Sequence, residues 1–221
     1  PMGEPLLNPN IYEMIKYAKK KNCYVYFTTN GTLLEHSTHK LIEAGLDALN
    51  ISFDTVHKER FEKIRAGSDF AKILANINNA VKIRKFSKSK MKINLCPTFS
   101  DYNIDEIKDI EALAQALNVG ISLNRMIMPF KKFSDFRPDL VKDDSPFCYF
   151  PFRSCYITIE GEVLPCCRLG QQRGDRSFVI KKYSMGNIFK RQFDEIWNSE
   201  KYRDLRHMAF HRYGICKMGA C

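Results

Sequence analysis

The sequence lacks any long apolar run. No hydrophobic segment among its 221 residues approaches the roughly 20 residues that a membrane-spanning helix requires, and no secretory signal peptide opens the chain. Internal repeats and low-complexity segments are also absent. With 44% hydrophobic and 27% charged residues, the composition is that of a folded soluble protein. We therefore expect a cytoplasmic protein without membrane contact, whose thiols stay reduced.

Cysteine is scarce in the first two thirds of the chain and concentrated in the last third. Six of the eight cysteines lie there, namely Cys148, Cys155, Cys166, Cys167, Cys216 and Cys221. In a reducing compartment such a group is more typical of metal or iron-sulfur ligands than of a disulfide framework. Spacing alone leaves zinc and iron-sulfur both open. The isolated Cys23 and Cys96 are predicted to be core thiols on buried strands.

Acidic residues are outnumbered, so the formal net charge is +10. Most of the excess comes from residues 82–92 and from the tail after Arg168. Such runs are usually solvated faces. They would also suit an acidic peptide substrate or, less favoured, a nucleic acid. Composition does not separate these possibilities.

From residue 8 to about residue 129, helical and extended patterns alternate. Asn8 and Pro9 predict the N-cap and first turn of a helix, and Gly45 predicts the end of another. Predicted strands cover residues 24–28, 48–53, 91–98 and 119–126, and further helices cover 36–44, 70–84 and 105–117. Strands separated by helices with short loops predict an α/β fold with parallel strands and right-handed crossovers. The fold is either an open sheet or a barrel missing its beginning.

The pattern breaks between residues 129 and 147, where three prolines and paired charges interrupt any periodicity. We predict a first domain at 1–128, a linker at 129–147 and a small cysteine-rich α+β module at 148–221. In this module residues 156–159 and 162–164 predict a hairpin that delivers Cys166 and Cys167. Two short helices are predicted at 189–197 and 201–210.

Polar clusters follow the predicted strands at their carboxyl ends, where α/β folds bind ligands. They are residues 2–5, residues 28–31, Ser52 with Asp54, and residues 98–103. Gly3 permits a close approach of the backbone to a ligand, and Glu4 offers an acceptor for an ammonium group. The recurrence of these clusters in order predicts a ligand site.

These clusters resemble the motifs of radical S-adenosylmethionine (radical SAM) enzymes from the second barrel strand onward. The resemblance rests on Gly3 to Pro9, Thr29-Asn30-Gly31, Ile51 to Asp54 and Arg65-Ala66-Gly67. The tail resembles the SPASM type of C-terminal extension, with Cys148, twelve residues, Gly161, four residues and Cys166. Further matches to that extension are Val163 to Cys167, Gly186-Asn187-Ile188 and Glu195 to Ser199.

The resemblance implies a partial (β/α) barrel that uses S-adenosylmethionine and [4Fe-4S] clusters to abstract hydrogen from a substrate, expected to be a peptide or protein. It implies an electron donor such as flavodoxin or ferredoxin. The resemblance also implies the residues that bind S-adenosylmethionine. Gly3, Glu4 and Pro5 would hold its methionine amino group, and Thr28 and Asn30 would line the site. Ser52, Asp54 and Arg65 would face its carboxylate or ribose. The implied auxiliary-cluster ligands would be Cys148, Cys166 and either Cys216 or Cys221, with Cys155 or Cys167 as the fourth.

The sequence departs from the family pattern in places. It contains no Cys-x3-Cys-x2-Cys motif for the radical-generating cluster, so we expect a fragment that is inactive alone. Cys167 stands where sulfatase maturases carry an aspartate base, which argues against that activity. The alternative function is a non-enzymatic zinc or iron-sulfur module on an α/β scaffold, possibly binding nucleic acid.

Overall fold

The computed structural model describes residues 3–99, 103–125, 149–170 and 176–210. The chain separates into two compact units, Met2–Ile127 and Met128–Cys221, with Pro1 grouped with the second. The domain bounds 1–128, 129–147 and 148–221 stay a prediction. Within the described ranges, no helix combines the length and apolarity needed to cross a bilayer.

The first unit is an α/β structure built on a four-stranded parallel sheet, which confirms the predicted fold class. Its strands are β1 (Tyr26–Thr29), β2 (Ala48–Ile51), β3 (Lys92–Leu95), β4 (Thr98–Phe99), β5 (Gly120–Ile121) and β6 (Asn124–Arg125). Its helices are α1 (Ile11–Lys20), α2 (Leu34–Ala44), α3 (Lys58–Ile64), α4 (Phe70–Phe86) and α5 (Ile107–Ala116), with 3-10 turns at Pro5–Leu7 and Ile104–Glu106. The order of strands in the sheet is β1-β2-β3-β5.

One face of this sheet packs against the helices. Alternate strand residues are buried there, including Leu49, Ile51, Ile93 and Leu95. They join one apolar cluster with helical residues such as Ile15, Leu41, Ile77 and Ile110. The residues between them belong to the opposite face, where Thr28 and Lys92 are exposed and Asn50 and Asn94 are half-buried. The sheet therefore has one apolar face and one polar face.

Several boundaries differ from the sequence prediction. Helix α1 begins at Ile11 with Asn10 at its N-cap, because Asn8 Oδ1 accepts a hydrogen bond from the Asn10 N–H at 3.0 Å and closes a turn ahead of the helix. The prediction that Cys23 is a core thiol is wrong: it is exposed in the connection before β1. Helix α3 was not predicted, and the strands predicted at 91–98 and 119–126 are each divided in two.

The second unit contains the predicted hairpin. Strands β7 (Tyr156–Ile157) and β8 (Val163–Leu164) pair antiparallel. Gly161 has φ +81°, and a Cβ there would lie 2.6 Å from Phe189 Cδ2, so the turn requires glycine. The described helices are α6 (Phe150–Arg153), α7 (Cys167–Gly170), α8 (Arg176–Tyr183), α9 (Phe193–Trp197) and α10 (Glu200–Phe210).

Candidate functional site

The carboxyl ends of the parallel strands form the edge at which the predicted site residues meet. Beyond the strands the ladder continues through Ser52 N–H to Thr29 O at 2.9 Å, Cys96 N–H to Ile51 O at 2.7 Å and Ser122 N–H to Leu95 O at 2.8 Å. Asn30 follows Thr29 directly. Four adjacent strands thus end in Asn30, Ser52, Cys96 and Ser122, which is where such sheets bind ligands.

Glu4 is tied to this edge by both of its carboxylate oxygens. Oε1 accepts from Thr29 Oγ1 at 2.7 Å and from the Leu6 N–H at 3.1 Å, and Oε2 accepts from the Asn30 N–H at 2.7 Å. An ionised carboxylate has about four acceptor positions, so one stays available for a ligand. The sequence prediction named Glu4 and Asn30 but missed Thr29, which is buried while Thr28 is exposed.

The backbone beside Glu4 leaves open space. Gly3 has φ +152°, and a Cβ built there would meet no atom of the protein within 4 Å. Pro5 begins the 3-10 turn that follows. The Asn30 side-chain oxygen accepts from Thr32 N–H at 2.9 Å, whereas its NH2 group has no acceptor among the described residues. The corner formed by Gly3, Glu4 and Asn30 thus combines a carboxylate acceptor, amide donors and open space. This combination fits the amino-acid part of S-adenosylmethionine.

Asp54 and Arg65 form an ion pair below the same edge. Arg65 Nη2 lies 2.5 Å from Asp54 Oδ2, and Asp54 Oδ1 accepts from the Thr98 N–H at 2.9 Å. The Asp54 side chain is 8% exposed. Its carboxylate therefore holds Arg65 and the β4 segment in place, and contact with a cofactor stays a prediction. Arg65 Nε is buried without a hydrogen-bond partner in the described part of the chain.

A buried carboxylate that the sequence prediction missed anchors the loop after β2. Glu106, 3% exposed in its side chain, accepts from Thr55 Oγ1 and Arg60 Nη1, and from the Val56 N–H at 3.3 Å. Asn103 Nδ2 donates to the Asp54 carbonyl at 2.9 Å. These bonds fix the segment that follows Ser52, so Glu106 is a positioning residue for the edge.

On the polar face of the sheet, one residue from each of four neighbouring strands forms a row. Thr28, Asn50, Asn94 and Gly120 are register partners. Asn94 Nδ2 donates to Asn50 Oδ1 at 2.9 Å, and a Cβ at Gly120 would lie 2.2 Å from Asn94 Oδ1. Gly120 thus makes room for the amide pair. The prediction placed Thr28 in the site but missed both asparagines, although a polar residue inside an apolar strand was a readable signal.

Cys96 is buried, as predicted, but its surroundings are polar. Asn124 Nδ2 donates to its sulfur at 2.8 Å. Burial raises the pKa of the Cys96 thiol, and hydrogen bonds from Ser122 and Asn124 oppose that rise. The thiol is therefore neutral at physiological pH, which does not suit a metal ligand or nucleophile.

Three of the six predicted cluster ligands lie in the described part of the second unit. Cys155 precedes β7, and Cys166 and Cys167 follow β8; all three are half-buried. Burial raises the pKa of the Cys155 thiol. No three Cys, His, Asp or Glu side chains converge as a ligand set within the described ranges. Cys148, Cys216 and Cys221 lie outside them, so the ligand assignment stays a prediction.

Comparison with known proteins gives two family matches. The model of the radical SAM superfamily matches residues 2–114, and that of the SPASM iron-sulfur cluster-binding domain matches residues 148–221. A probable GTP 3',8-cyclase of Methanocaldococcus jannaschii is 34% identical over 59% of this chain and 42% of its own length.

Two more relatives show the same partial coverage. A probable GTP 3',8-cyclase of Methanococcus maripaludis is 35% identical over 45% of this chain and 36% of its own length. The molybdenum cofactor biosynthesis protein 1 of Bos taurus is 32% identical over 58% of this chain and 20% of its own length. The chain thus spans less than half the length of these relatives.

Proposed function

This chain belongs to the radical SAM superfamily, and from that membership we propose that it is part of an enzyme that abstracts hydrogen from its substrate through a radical mechanism. The family matches imply S-adenosylmethionine and [4Fe-4S] clusters, which confirms the predicted cofactors. When bound, these cofactors would supply the hydrogen-abstraction chemistry, with electrons from a donor such as a flavodoxin or ferredoxin.

The observation that carries the proposal is the corner formed by Gly3, Glu4 and Asn30. Glu4 is held by three donors and keeps one acceptor position, which suits the amino group of S-adenosylmethionine. The open space beside Gly3 admits the ligand close to the backbone. A carboxylate fixed by the protein needs no reorganisation when the ammonium group arrives, so binding costs little conformational entropy.

Ser52, Arg65 and Thr28 complete the proposed cofactor site. Ser52 follows β2, the strand next to the one that ends in Asn30, and the residue is half-buried. Arg65 is oriented by Asp54 and retains a buried Nε–H, which suits the cofactor carboxylate or ribose. Thr28 is exposed on the polar face, one position from the buried Thr29. The hydrogen bonds of Glu106 then hold the loop that carries Asp54.

The substrate class is a separate proposal. A peptide or protein is the prediction from the sequence, but the names of the relatives described above do not mention a peptide substrate. GTP is the second candidate, because two of these relatives are named as probable GTP 3',8-cyclases. The polar sheet face also supports it, because exposed Lys92 and the Asn50–Asn94 amide pair offer a cation and amide donors.

Isotope transfer tests the proposed function. The chain is extended by a segment that carries the Cys-x3-Cys-x2-Cys motif its own sequence lacks, and the extended protein is reconstituted anaerobically. It is then reduced in the presence of S-adenosylmethionine and either fully deuterated GTP or deuterated candidate peptides. Deuterium in the 5'-deoxyadenosine identifies the substrate that loses hydrogen. Deuterium from GTP would exclude the peptide class, and the reverse result would exclude GTP. A colourless protein that holds tetrahedral zinc instead of iron and sulfide would contradict the proposal and support the non-enzymatic module.

A further inference from the structure

The second unit contains two buried hydrogen-bond donors that have no acceptor within residues 149–170 and 176–210. Tyr202 is 0% exposed, and its hydroxyl has no partner among the described residues. Arg206 Nη2 is also buried without a partner there, although Arg206 Nε donates to the Pro151 carbonyl at 3.0 Å. An unpaired buried donor destabilises the folded state, and more strongly when it is charged. Two such donors on neighbouring turns of α10 indicate a missing acceptor.

Both donors belong to one packed group. The Arg206 guanidinium lies 4.4 Å from the ring centroids of Tyr202 and Trp197. The Tyr202 ring belongs to the apolar cluster against which Cys155 packs. The stacking fixes the guanidinium plane, so its remaining N–H groups have a defined direction.

A cysteine sulfur lies next to this group. The Cys155 side chain packs against the apolar cluster that contains the Tyr202 ring. A tyrosine hydroxyl can donate one hydrogen bond, so it requires an acceptor here. Arg206 is half-buried and forms no ion pair with a carboxylate among the described residues, and its buried, positively charged Nη2 group favours an anionic acceptor. An anionic iron-sulfur cluster held by thiolates beside these rings would satisfy both donors.

We propose that Tyr202 and Arg206 are positioning residues that donate hydrogen bonds to the sulfur atoms of the auxiliary cluster and raise its reduction potential. The inference rests on the proposed cluster in this unit. Donors to sulfur stabilise the more negative reduced state of an iron-sulfur cluster, so their removal favours the oxidised state. A merely structural role for the same side chains would leave the potential unchanged.

Redox titration of the cluster-loaded protein tests this proposal. Tyr202→Phe keeps the ring and its stacking but removes the hydroxyl. We expect about a tenfold loss in the ratio of reduced to oxidised auxiliary cluster at fixed potential, equivalent to about 59 mV toward more negative values. Arg206→Gln should shift the potential in the same direction, and Arg206→Lys, which keeps the charge, should shift it less. Tyr17→Phe on the exposed face of α1 is the control for loss of a hydroxyl.

Proton spectroscopy gives a readout that does not depend on a variant. Electron-nuclear double resonance of the reduced wild-type auxiliary cluster should show an exchangeable proton that Tyr202→Phe removes. Unchanged potentials in Tyr202→Phe and Arg206→Gln would overturn the inference. If neither variant takes up the cluster, the absence of any exchangeable proton coupled to the wild-type cluster would overturn it. Wild-type protein without iron and sulfide would instead contradict the proposed function, so the two failures are distinguishable.

Discussion

Glu4 is the residue whose replacement tests the cofactor corner most sharply. In a Glu4→Gln variant one of the two carboxylate oxygens becomes an NH2 group. If the remaining oxygen serves Thr29 and Leu6, the new NH2 faces the Asn30 N–H, to which Oε2 was bonded at 2.7 Å. Two donors then oppose each other, and the negative charge that strengthened all three bonds is lost.

The expected loss of stability in Glu4→Gln follows from the hydrogen bonds that this substitution changes. A hydrogen bond to a charged group contributes about 1.5 to 3 kcal/mol. Because Glu4 is half-buried, water can hydrogen-bond to the groups left unpaired and offset part of the lost free energy. We expect the free energy of unfolding of the first unit to fall by about 2 kcal/mol. The affinity for S-adenosylmethionine should fall by about tenfold or more, since the acceptor for its amino group loses its charge.

Urea unfolding followed by circular dichroism measures the first quantity, and equilibrium dialysis with labelled S-adenosylmethionine measures the second. Hydrogen exchange of the Asn30 amide reports the local bond directly and should accelerate. Glu13→Gln on α1 is the matched control, because that exposed carboxylate pairs with Lys16 at 2.8 Å and forms no other ion pair in the described part of the chain. Equal effects of the two variants on stability and binding would refute the assigned role of Glu4.

Two further predictions follow from single contacts. Gly120→Ala should destabilise the first unit by about 1 to 3 kcal/mol because its Cβ would clash with Asn94, and adding Asn94→Ala should restore most of that loss in a double-mutant cycle; additive effects would contradict the contact. Hydrogen bonds from Asn187 and then Ser184 lower the pKa of Glu162, so its stabilising contribution is present above about pH 4.3 and is lost as the pH falls through the lowered pKa. Urea midpoints of the second unit should therefore drop in acid more steeply for wild type than for Glu162→Gln, and parallel pH profiles would refute this.

The sheet was predictable because local patterns determine it. The alternating polar and apolar residues of β3 and the glycine Gly45 at the end of α2 are both visible in the sequence, and the structure shows alternating burial along β3 and a left-handed Gly45. Cys23 was misplaced because the apolar pattern starts near Tyr24, whereas pairing with β2 begins only at Tyr26. Strand ends depend on the partner strand, which a local pattern does not contain.

The site was predictable only where family motifs marked it. Glu4, Asn30 and Ser52 stand in such motifs, and the structure places them at one edge. The bonds between them span the chain: Thr29 is 25 residues from Glu4, and Glu106 is 51 residues from Thr55. Tyr202 gave no sequence signal because an aromatic residue in an amphipathic helix predicts core packing. Its unpaired hydroxyl emerges only from the packed structure.

The central claim is that this chain contributes to radical chemistry with S-adenosylmethionine. Its most direct test is the formation of 5'-deoxyadenosine when the chain, extended by a segment that carries the Cys-x3-Cys-x2-Cys motif its own sequence lacks, is reconstituted anaerobically and reduced in the presence of S-adenosylmethionine. We expect 5'-deoxyadenosine and methionine in equal amounts, with a strongly reduced yield in Glu4→Gln and an unchanged yield in Glu13→Gln. Intact S-adenosylmethionine after reduction of a protein with full iron and sulfide content would contradict the account.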